Sequence, residues 1–277
     1  MSGADRVAFL QGQLTQEVRG LVPGETRPVA GLTPKGKLLF AGRMRGAAES
    51  IWLLLPAAVR DTARSHLAKF AAFQKVTVAD RSEDLLHLAL YGPGAAAVVP
   101  GLGGEAFPGE GEISFEVLAT AGSRGDLDRA LDRAGSRPLS VESAEALRLE
   151  AGRPRWGVDF GTENFVDEVG LSRAVSTTKG CYVGQEIVAR TRTYGRVNRR
   201  LVAFAFPEAP IAPDTRLTRP GEAPGKIEIG RVTSSAVSPR RGAIGLGFAF
   251  REIAAGERLE SADSARRTAL VSELPSP

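Results

Sequence analysis

Apolar residues recur along this chain with two periods, one helical and one alternating, and the switches between them outline the elements. From residue 5 to 18, Val7, Leu10 and Leu14 fall at helical spacing with Phe9 beside them, and Asp5 is a plausible N-cap. Gly12 interrupts this helix, which implies either a break or a close approach by another backbone. Residues 27–45 read as two strands around a Thr33–Lys37 turn, with Leu38–Met44 returning. Ile51–Leu55 is a short continuous apolar run, suited to a buried strand that Pro56 stops. Ala57–Phe73 follows as a helix whose face is Val59, Ala63, Leu67 and Phe70, and Val76–Ala79 reads as a strand.

A similar order then recurs: strand Leu85–Leu90, short helix Ala95–Val99, strand Ile113–Thr120, helix Gly125–Ala134 and a last strand over 136–141. Two strand–helix–strand units suggest an α+β layer with a loose internal duplication. Ser143 is read as the cap of a helix over Ala144–Ala151. Residues 158–176 are irregular and carry Asp159, Glu163, Asp167 and Glu168. A long irregular stretch inside a domain is often functional. After Arg196 the pattern is strand only, with Leu201–Phe206, Lys226–Ser235 and Ala243–Phe250 between Pro- and Gly-rich joints. That pattern fits a small barrel.

Composition changes this picture little. The 277 residues are 43% hydrophobic and 25% charged, an ordinary balance for a globular chain with more than one core. The formal charge of +4 admits an anionic ligand or RNA, but no run of Lys and Arg forms a nucleic-acid tail. A single cysteine excludes an internal disulfide, a Cys-based zinc site and a self-contained iron–sulfur cluster. His66 and His87 fall in a helical and a strand pattern, so a Ser-His-Asp triad is poorly supported. With no apolar run near the roughly 20 residues of a membrane span, and no leader pattern, a soluble cytoplasmic protein without a membrane partner is expected.

The chemistry concentrates in Lys179–Glu186, Lys-Gly-Cys-Tyr-Val-Gly-Gln-Glu. Lys179 precedes the thiol of Cys181, and a nearby cation favours a thiolate. A lone cysteine is otherwise a small buried hydrophobe. Arg190, Arg192, Arg196, Arg199 and Arg200 follow, with Tyr194 and Asn198 among them. As a strand, this stretch would put Arg190 and Arg192 on one face, and Arg196 and Asn198 on one face. Such a face is either solvated or an anion site for a flat heterocycle with a carboxylate tail; RNA fits more weakly. Glu168 is either an exposed loop acid or a partner for a guanidine-like ring edge such as a pterin's.

Lys179–Arg190, Lys-Gly-Cys-Tyr-Val-Gly-Gln-Glu-Ile-Val-Ala-Arg, resembles the signature of the YgfZ family of folate-binding proteins. These are relatives of the aminomethyltransferase (T-protein) of the glycine cleavage system. Phe9–Thr15, Lys35-Gly36-Lys37, Leu147–Gly152 with Gly157-Val158-Asp159, and Tyr194–Arg200 extend the resemblance over essentially the whole chain. It implies an α+β, T-protein-like ring of subdomains around a folate site, with a C-terminal all-β barrel. The implied division is 1–200, itself two subdomains (about 1–45 with 137–200, and 46–136), and a barrel over 201–277. The implied ligand is tetrahydrofolate. The implied role is support of iron–sulfur cluster assembly or repair and of linked tRNA modification, with cluster proteins, assembly factors and tRNA-modifying enzymes as partners. The family cysteine falls on Cys181, as a thiol function, and the pterin-contacting glutamate on Glu168. Lys179, Tyr182, Gln185, Arg190 and Tyr194 complete the candidate folate set. Gln185 stands where T-proteins carry a folate-gripping arginine, and Pro56-Ala57 stands where their strand ends in Asn-Ala. Both departures argue against aminomethyl transfer, which with an RNA-binding module forms the alternative reading. Family members usually carry a further strand ahead of the segment matching Ser2–Phe9, which leaves open a start upstream of Met1.

Overall fold

A computed structural model of the chain describes residues 1–109, 113–193, 197–222 and 228–275. Helix α1 (Arg6–Gln13) buries Phe9 and Leu10, the face that its apolar spacing selects. Asp5 does not cap it; its carboxylate instead accepts the Lys75 N–H at 2.9 Å. The hairpin of β1 (Thr26–Leu32) and β2 (Leu38–Gly46) turns at Thr33–Lys37, and β3 (Ile51–Leu54) pairs along the far edge of β2. Leu10, Leu14, Val29, Phe40 and Met44 pack with Leu67 of helix α2 (Arg60–Ala71) into the first core. α2 is shorter than its sequence pattern. Residues 57–59 form a 3-10 turn, and Phe70 and Phe73 stay 44% and 98% exposed, so the buried face is Ala63, Leu67 and Ala71.

The second sheet comprises β4 (Leu85–Tyr91), β5 (Glu105–Pro108) and β6 (Ile113–Thr120), with helix α3 (Ala95–Val98) before β5 and α4 (Arg124–Arg133) after β6. Its order is β4-β6-β5, against β1-β2-β3 in the first sheet. The strand orders differ, so they lend no support to an internal duplication. Two expected strands are not formed. Residues 76–79 make a single bridge at Thr77, and 136–140 adopt no regular structure. Helix α5 (Val141–Glu150) is capped by Ser140, whose Oγ accepts the Ser143 N–H at 3.1 Å; Ser143 is the donor, not the cap.

Residues 185–193 are helical (α6, Gln185–Thr193), not extended. The chain then closes a six-stranded barrel in the order β10-β7-β12-β11-β8-β9. Its strands are β7 (Arg199–Phe206), β8 (Arg216–Thr218), β9 (Gly230–Ser238), β10 (Gly242–Phe250), β11 (Arg258–Ser261) and β12 (Thr268–Ser272). Lys226, the expected start of β9, lies outside the described residues. Val202, Phe204, Leu217, Val232 and Leu259 fill the interior. Among the described residues no helix is long and apolar enough to cross a membrane.

Charged groups join these layers. Arg43 and Arg45, two apart on β2, project from one face. Arg43 pairs with Glu116 of β6, and Arg45 reaches Glu105 of β5 at 2.5 Å while its guanidinium lies 4.3 Å from the Phe107 ring centre. His87 Nε2 lies 2.5 Å from the same Glu116 carboxylate. On the barrel side, the buried Asp159 accepts from Arg148 (2.6 Å), the Arg155 N–H (2.8 Å), and the Thr233 and Ser234 hydroxyls (both 2.6 Å).

Burial pushes the Glu116 carboxyl up, but hydrogen bonds from His87 and Arg43 outweigh it and hold the pKa down to about 2. Between the ordinary carboxyl value and about 2, the unfolded chain binds the proton and the folded chain does not. Stability from this group is therefore complete above about pH 4.5 and is lost as pH falls through about 2. Glu116→Gln leaves Arg43 unpaired and should cost about 3 kcal/mol at neutral pH. Urea titrations at a series of pH values should show a shallower loss of stability below pH 4.5 in the variant than in the wild type.

Candidate functional site

The site begins at the carboxyl end of α1, where the last carbonyls of a helix lack partners within it. The Lys179–Glu186 signature supplies those partners. The Lys179 ammonium donates to the carbonyls of Gln11 (2.8 Å), Leu14 (2.6 Å) and Gln16 (2.9 Å), and the Val183 N–H donates to the Gly12 carbonyl at 3.1 Å. The helix runs through Gly12 without a break, and although its carbonyl is met by the second backbone, a side chain at this position would find nothing within 4 Å. Lys179 is buried, and burial pushes its pKa down to about 8, with Glu17 opposing. Its three donors match three acceptors, and a cation at a helix carboxyl end is favoured by the helix dipole. The cation that sequence spacing places beside Cys181 is therefore turned inward on the backbone, while Cys181 itself is exposed.

The two motif glycines set the next contact. Gly184 adopts φ +82° and a side chain there would meet the Thr33 carbonyl oxygen at 2.6 Å. A side chain at Gly36, φ +74°, would meet Ile187 at 2.7 Å. Bare backbone at both positions lets the start of α6 rest directly on the β1–β2 turn. Tyr182 and Gln185 then close the helix start reciprocally. The Tyr182 N–H donates to Gln185 Oε1 at 3.3 Å, and the Gln185 N–H donates to the Tyr182 carbonyl at 3.2 Å. The Tyr182 ring is buried beneath, and burial raises its hydroxyl pKa.

The acidic loop between 158 and 176 faces this arrangement. Lys37 Nζ donates to the Glu163 carbonyl at 2.6 Å and lies 3.4 Å from the Phe165 ring centre. The Leu38 N–H bonds the Asn164 carbonyl at 3.0 Å. Asn164 Nδ2 and the Phe165 N–H both donate to Glu168 Oε2, at 3.2 and 3.1 Å, while Arg199 Nε stands 3.6 Å from Oε1. Glu168 is thus no exposed loop acid but a buried, oriented carboxylate with acceptor capacity left on Oε1. Beside it, Asp167 holds Arg192 of α6, with contacts of 2.6 to 3.1 Å.

The structure thus gathers Lys179, Tyr182 and Gln185 in one turn and sets Glu168 against Arg199. Arg190 is exposed on α6. Because 185–193 is helical, Arg190 and Arg192 point roughly 200° apart instead of sharing a face. Tyr194 and Arg196 lie outside the described residues. Asn164, Arg43 and Glu116 were not singled out from the sequence, and Asp167 and His87 were noted there without these partners; the Asn-Phe-Val-Asp-Glu spacing was the available signal for Asn164. A cavity of about 750 Å³ opens between β3, α2 and residues 77–82, and none of the candidate residues lines it. Among the described residues no group of three or more His, Cys, Asp and Glu side chains is placed to hold a metal ion.

Replacing Lys179 by Met would leave the Gln11, Leu14 and Gln16 carbonyls without their donor. The expected cost is about 2–4 kcal/mol in a denaturant titration, accompanied by faster amide exchange at Val183 and along α1.

No family model matches the chain. An aminomethyltransferase of Rubrobacter xylanophilus is 30% identical over 92% of this chain and 74% of its own length. A tRNA-modifying protein YgfZ of Hamiltonella defensa is 30% identical over 77% of this chain and 68% of its own length. Among solved structures, the glycine cleavage system aminomethyltransferase T of Bartonella henselae superposes with a TM-score of 0.84, covering 98% of this chain and 81% of that one at 22% identity. The expected T-protein-like α+β fold with a C-terminal barrel is therefore the fold observed. With that fold, and with a signature built around Lys179, Cys181 and Gln185, the chain belongs to the YgfZ family, relatives of the aminomethyltransferases.

Proposed function

We infer that the protein is a tetrahydrofolate-binding accessory factor that supports iron–sulfur cluster assembly or repair and the tRNA modification linked to it, in the cytoplasm. The observation that carries this reading is Glu168, buried and oriented by Asn164 and Phe165 yet retaining an acceptor oxygen. Such a carboxylate suits the guanidine-like edge of a pterin. Tyr182, Gln185, Arg190 and Tyr194 are the further candidates for folate contact, and Lys179 acts by positioning the segment. Cys181, exposed at the start of the same turn, is the thiol offered to a partner. One thiol cannot hold a cluster alone, so a client or a small thiol completes the coordination. The relatives described as tRNA-modifying support the same reading.

The aminomethyltransferase relative favours a second reading, a folate-dependent one-carbon transferase. Gln185 weighs against it. Its side chain accepts the Tyr182 N–H at the helix start and brings no positive charge where T-proteins carry arginine.

Calorimetry with tetrahydrofolate tests the first reading. The wild type should bind, and Glu168→Gln should weaken binding about tenfold or more at unchanged thermal stability. Glu168→Ala should weaken it similarly but also destabilise the loop, because Asn164 and Phe165 lose their acceptor. Absence of binding in the wild type removes the proposal. Turnover of an aminomethyl donor with tetrahydrofolate would establish the transferase instead. A steep loss of tRNA affinity with added salt would point to an RNA-binding module.

For the thiol, Cys181→Ala should impair maturation of cluster enzymes in a deletion strain while leaving folate affinity nearly unchanged. Full complementation by the variant would remove Cys181 from the mechanism.

A further inference from the structure

Helix α2 carries a row of rings on one flank. His66, Phe70 and Phe73 stand four and three positions apart, the spacing that lines up side chains along a helix, and Ala72 keeps helical angles, so the row continues past Ala71. The row starts in the core and ends in solvent. Phe40 is fully buried, its ring centre lies 6.5 Å from that of His66, and His66 lies 5.0 Å from Phe70. Phe70 is 44% exposed and Phe73 98%, and among the described residues no other large apolar side chain is as exposed as Phe73. Burial lowers the His66 pKa, with Lys69 adding to it, so the imidazole is uncharged at neutral pH and belongs to the apolar row.

Backbone contacts, not the ring, fix the position of Phe73. The Gln74 N–H donates to the Ala71 carbonyl at 3.0 Å and closes the turn at the end of α2. Lys75 then pairs with the start of α1. Its N–H donates to the Asp5 carboxylate at 2.9 Å, and its carbonyl accepts the Asp5 N–H at 3.3 Å. A ring held in water on a pinned turn loses little freedom on docking. Single exposed apolar side chains are ordinary on a protein surface. Here two exposed rings belong to one row anchored in the core, with the i, i+4 and i+7 spacing by which a helix enters an apolar groove.

The charges beside the row select the occupant. Lys69 and Lys75 are exposed and flank the two phenylalanines in the chain; among the described residues neither ammonium is in an ion pair, and Lys69 Nζ lies 5.9 Å from the Phe70 ring centre. A symmetric contact between two copies of this chain through the row would bring these lysines together, and like charges disfavour it. A single-stranded nucleic acid needs a track of cations along its backbone. The other cations of α2, Arg60 and Arg64, lie off the row, where they line the cavity, and Arg60 is engaged by Asp61 and Asp80, both at 3.4 Å. A projecting apolar row with two lysines beside it fits a concave apolar surface edged by carboxylates. We propose that His66, Phe70 and Phe73 form a docking ridge for a protein partner that presents an apolar groove rimmed by Asp and Glu side chains, with Phe73 entering the groove and Lys69 and Lys75 meeting the rim. The ridge is separate from the signature: Lys75 meets the start of α1 and Lys179 its carboxyl end, about 12 Å apart along a helix of eight residues. Docking here does not depend on folate binding.

Photocrosslinking of the full chain in its native cells tests this. Phe73→p-benzoylphenylalanine and, on the barrel, the equally accessible control Val237→p-benzoylphenylalanine are irradiated, and their adducts are identified by mass spectrometry. Position 73 should give one protein adduct that position 237 does not, mapped to a segment of that protein holding both apolar residues and Asp or Glu. With that protein purified, Phe73→Ala should weaken binding about tenfold or more by calorimetry, and Lys75→Glu comparably. Charge reversal on the partner's rim should restore binding of Lys75→Glu. The thermal midpoint and the tetrahydrofolate affinity of Phe73→Ala should equal those of the wild type, because the ring supports neither the core nor the signature. The same adducts at both positions, no protein adduct at 73, an adduct to RNA or to a second copy of this chain, or an affinity that Phe73→Ala leaves unchanged would each overturn the proposal. A wild type that binds no folate but keeps the Phe73-dependent adduct would remove the folate reading and leave the ridge standing.

Discussion

One buried cation organises the candidate site. The Lys179 ammonium takes three carbonyls at and beyond the end of α1, and Val183 takes a fourth. Those of Gln11 and Gly12 belong to the last turn of a helix of only eight residues, too short to be stable by itself, and those of Leu14 and Gln16 to the chain leaving it, so the exit requires donors from outside. The signature provides them, and in doing so it fixes its own position. Once Lys179 and Val183 are held, Gly184 is driven against the β1–β2 turn and the axis of α6 is set. Cys181 lies between two anchored neighbours, so its exposure is imposed by the residues on either side of it.

The same logic runs through the acidic loop. Its members are spaced so that each meets a different element. Asp159 meets α5 and β9, Asn164 meets the hairpin, Asp167 meets α6, and Glu168 stands at the start of β7. No helix or strand could direct consecutive side chains to so many partners. The irregular backbone is what lets one short segment join the hairpin, the signature and the barrel. A carboxylate held this way loses little freedom on meeting a ligand, the condition under which a single acid contributes most to binding.

How much of this was legible in the sequence depended on the physical range of the signal. α2 buries Ala63 and Leu67 of its indicated face but leaves Phe70 exposed, whereas the hairpin turn, the core face of α1 and the strand β10 follow local periodicity and formed much as that periodicity indicates. α6 did not, because Ile187-Val188-Ala189 favours extended structure locally. What makes it helical is the Tyr182–Gln185 pair and the close contact of Gly184, and neither has a periodic trace. The barrel strands β8, β11 and β12, of three to five residues, were too short to show alternation between Pro- and Gly-rich joints. The role of Lys179 was hidden for another reason. Its charge suggested a partner for the nearby thiol, whereas burial beside unpaired carbonyls more than 160 positions away decided where the ammonium went.

Glu168 and Gln185 together narrow what the site does. Glu168 is held by groups that donate to Oε2 alone, so Oε1 is left facing the space near Arg199, at 3.6 Å, a distance too long for a direct hydrogen bond. A ligand edge with donors would find an acceptor there. Gln185, in contrast, is folded onto its own helix start and contributes an amide where a guanidinium would reach a carboxylate or a developing charge. On the proposed function, recognition of a pterin-like edge would depend on the first residue. Stabilisation of negative charge during group transfer would depend on a cation at the second. Under the proposed function Glu168 supplies a group for recognition while Gln185 brings no charge for transfer, and on that ground binding without turnover is the reading we favour.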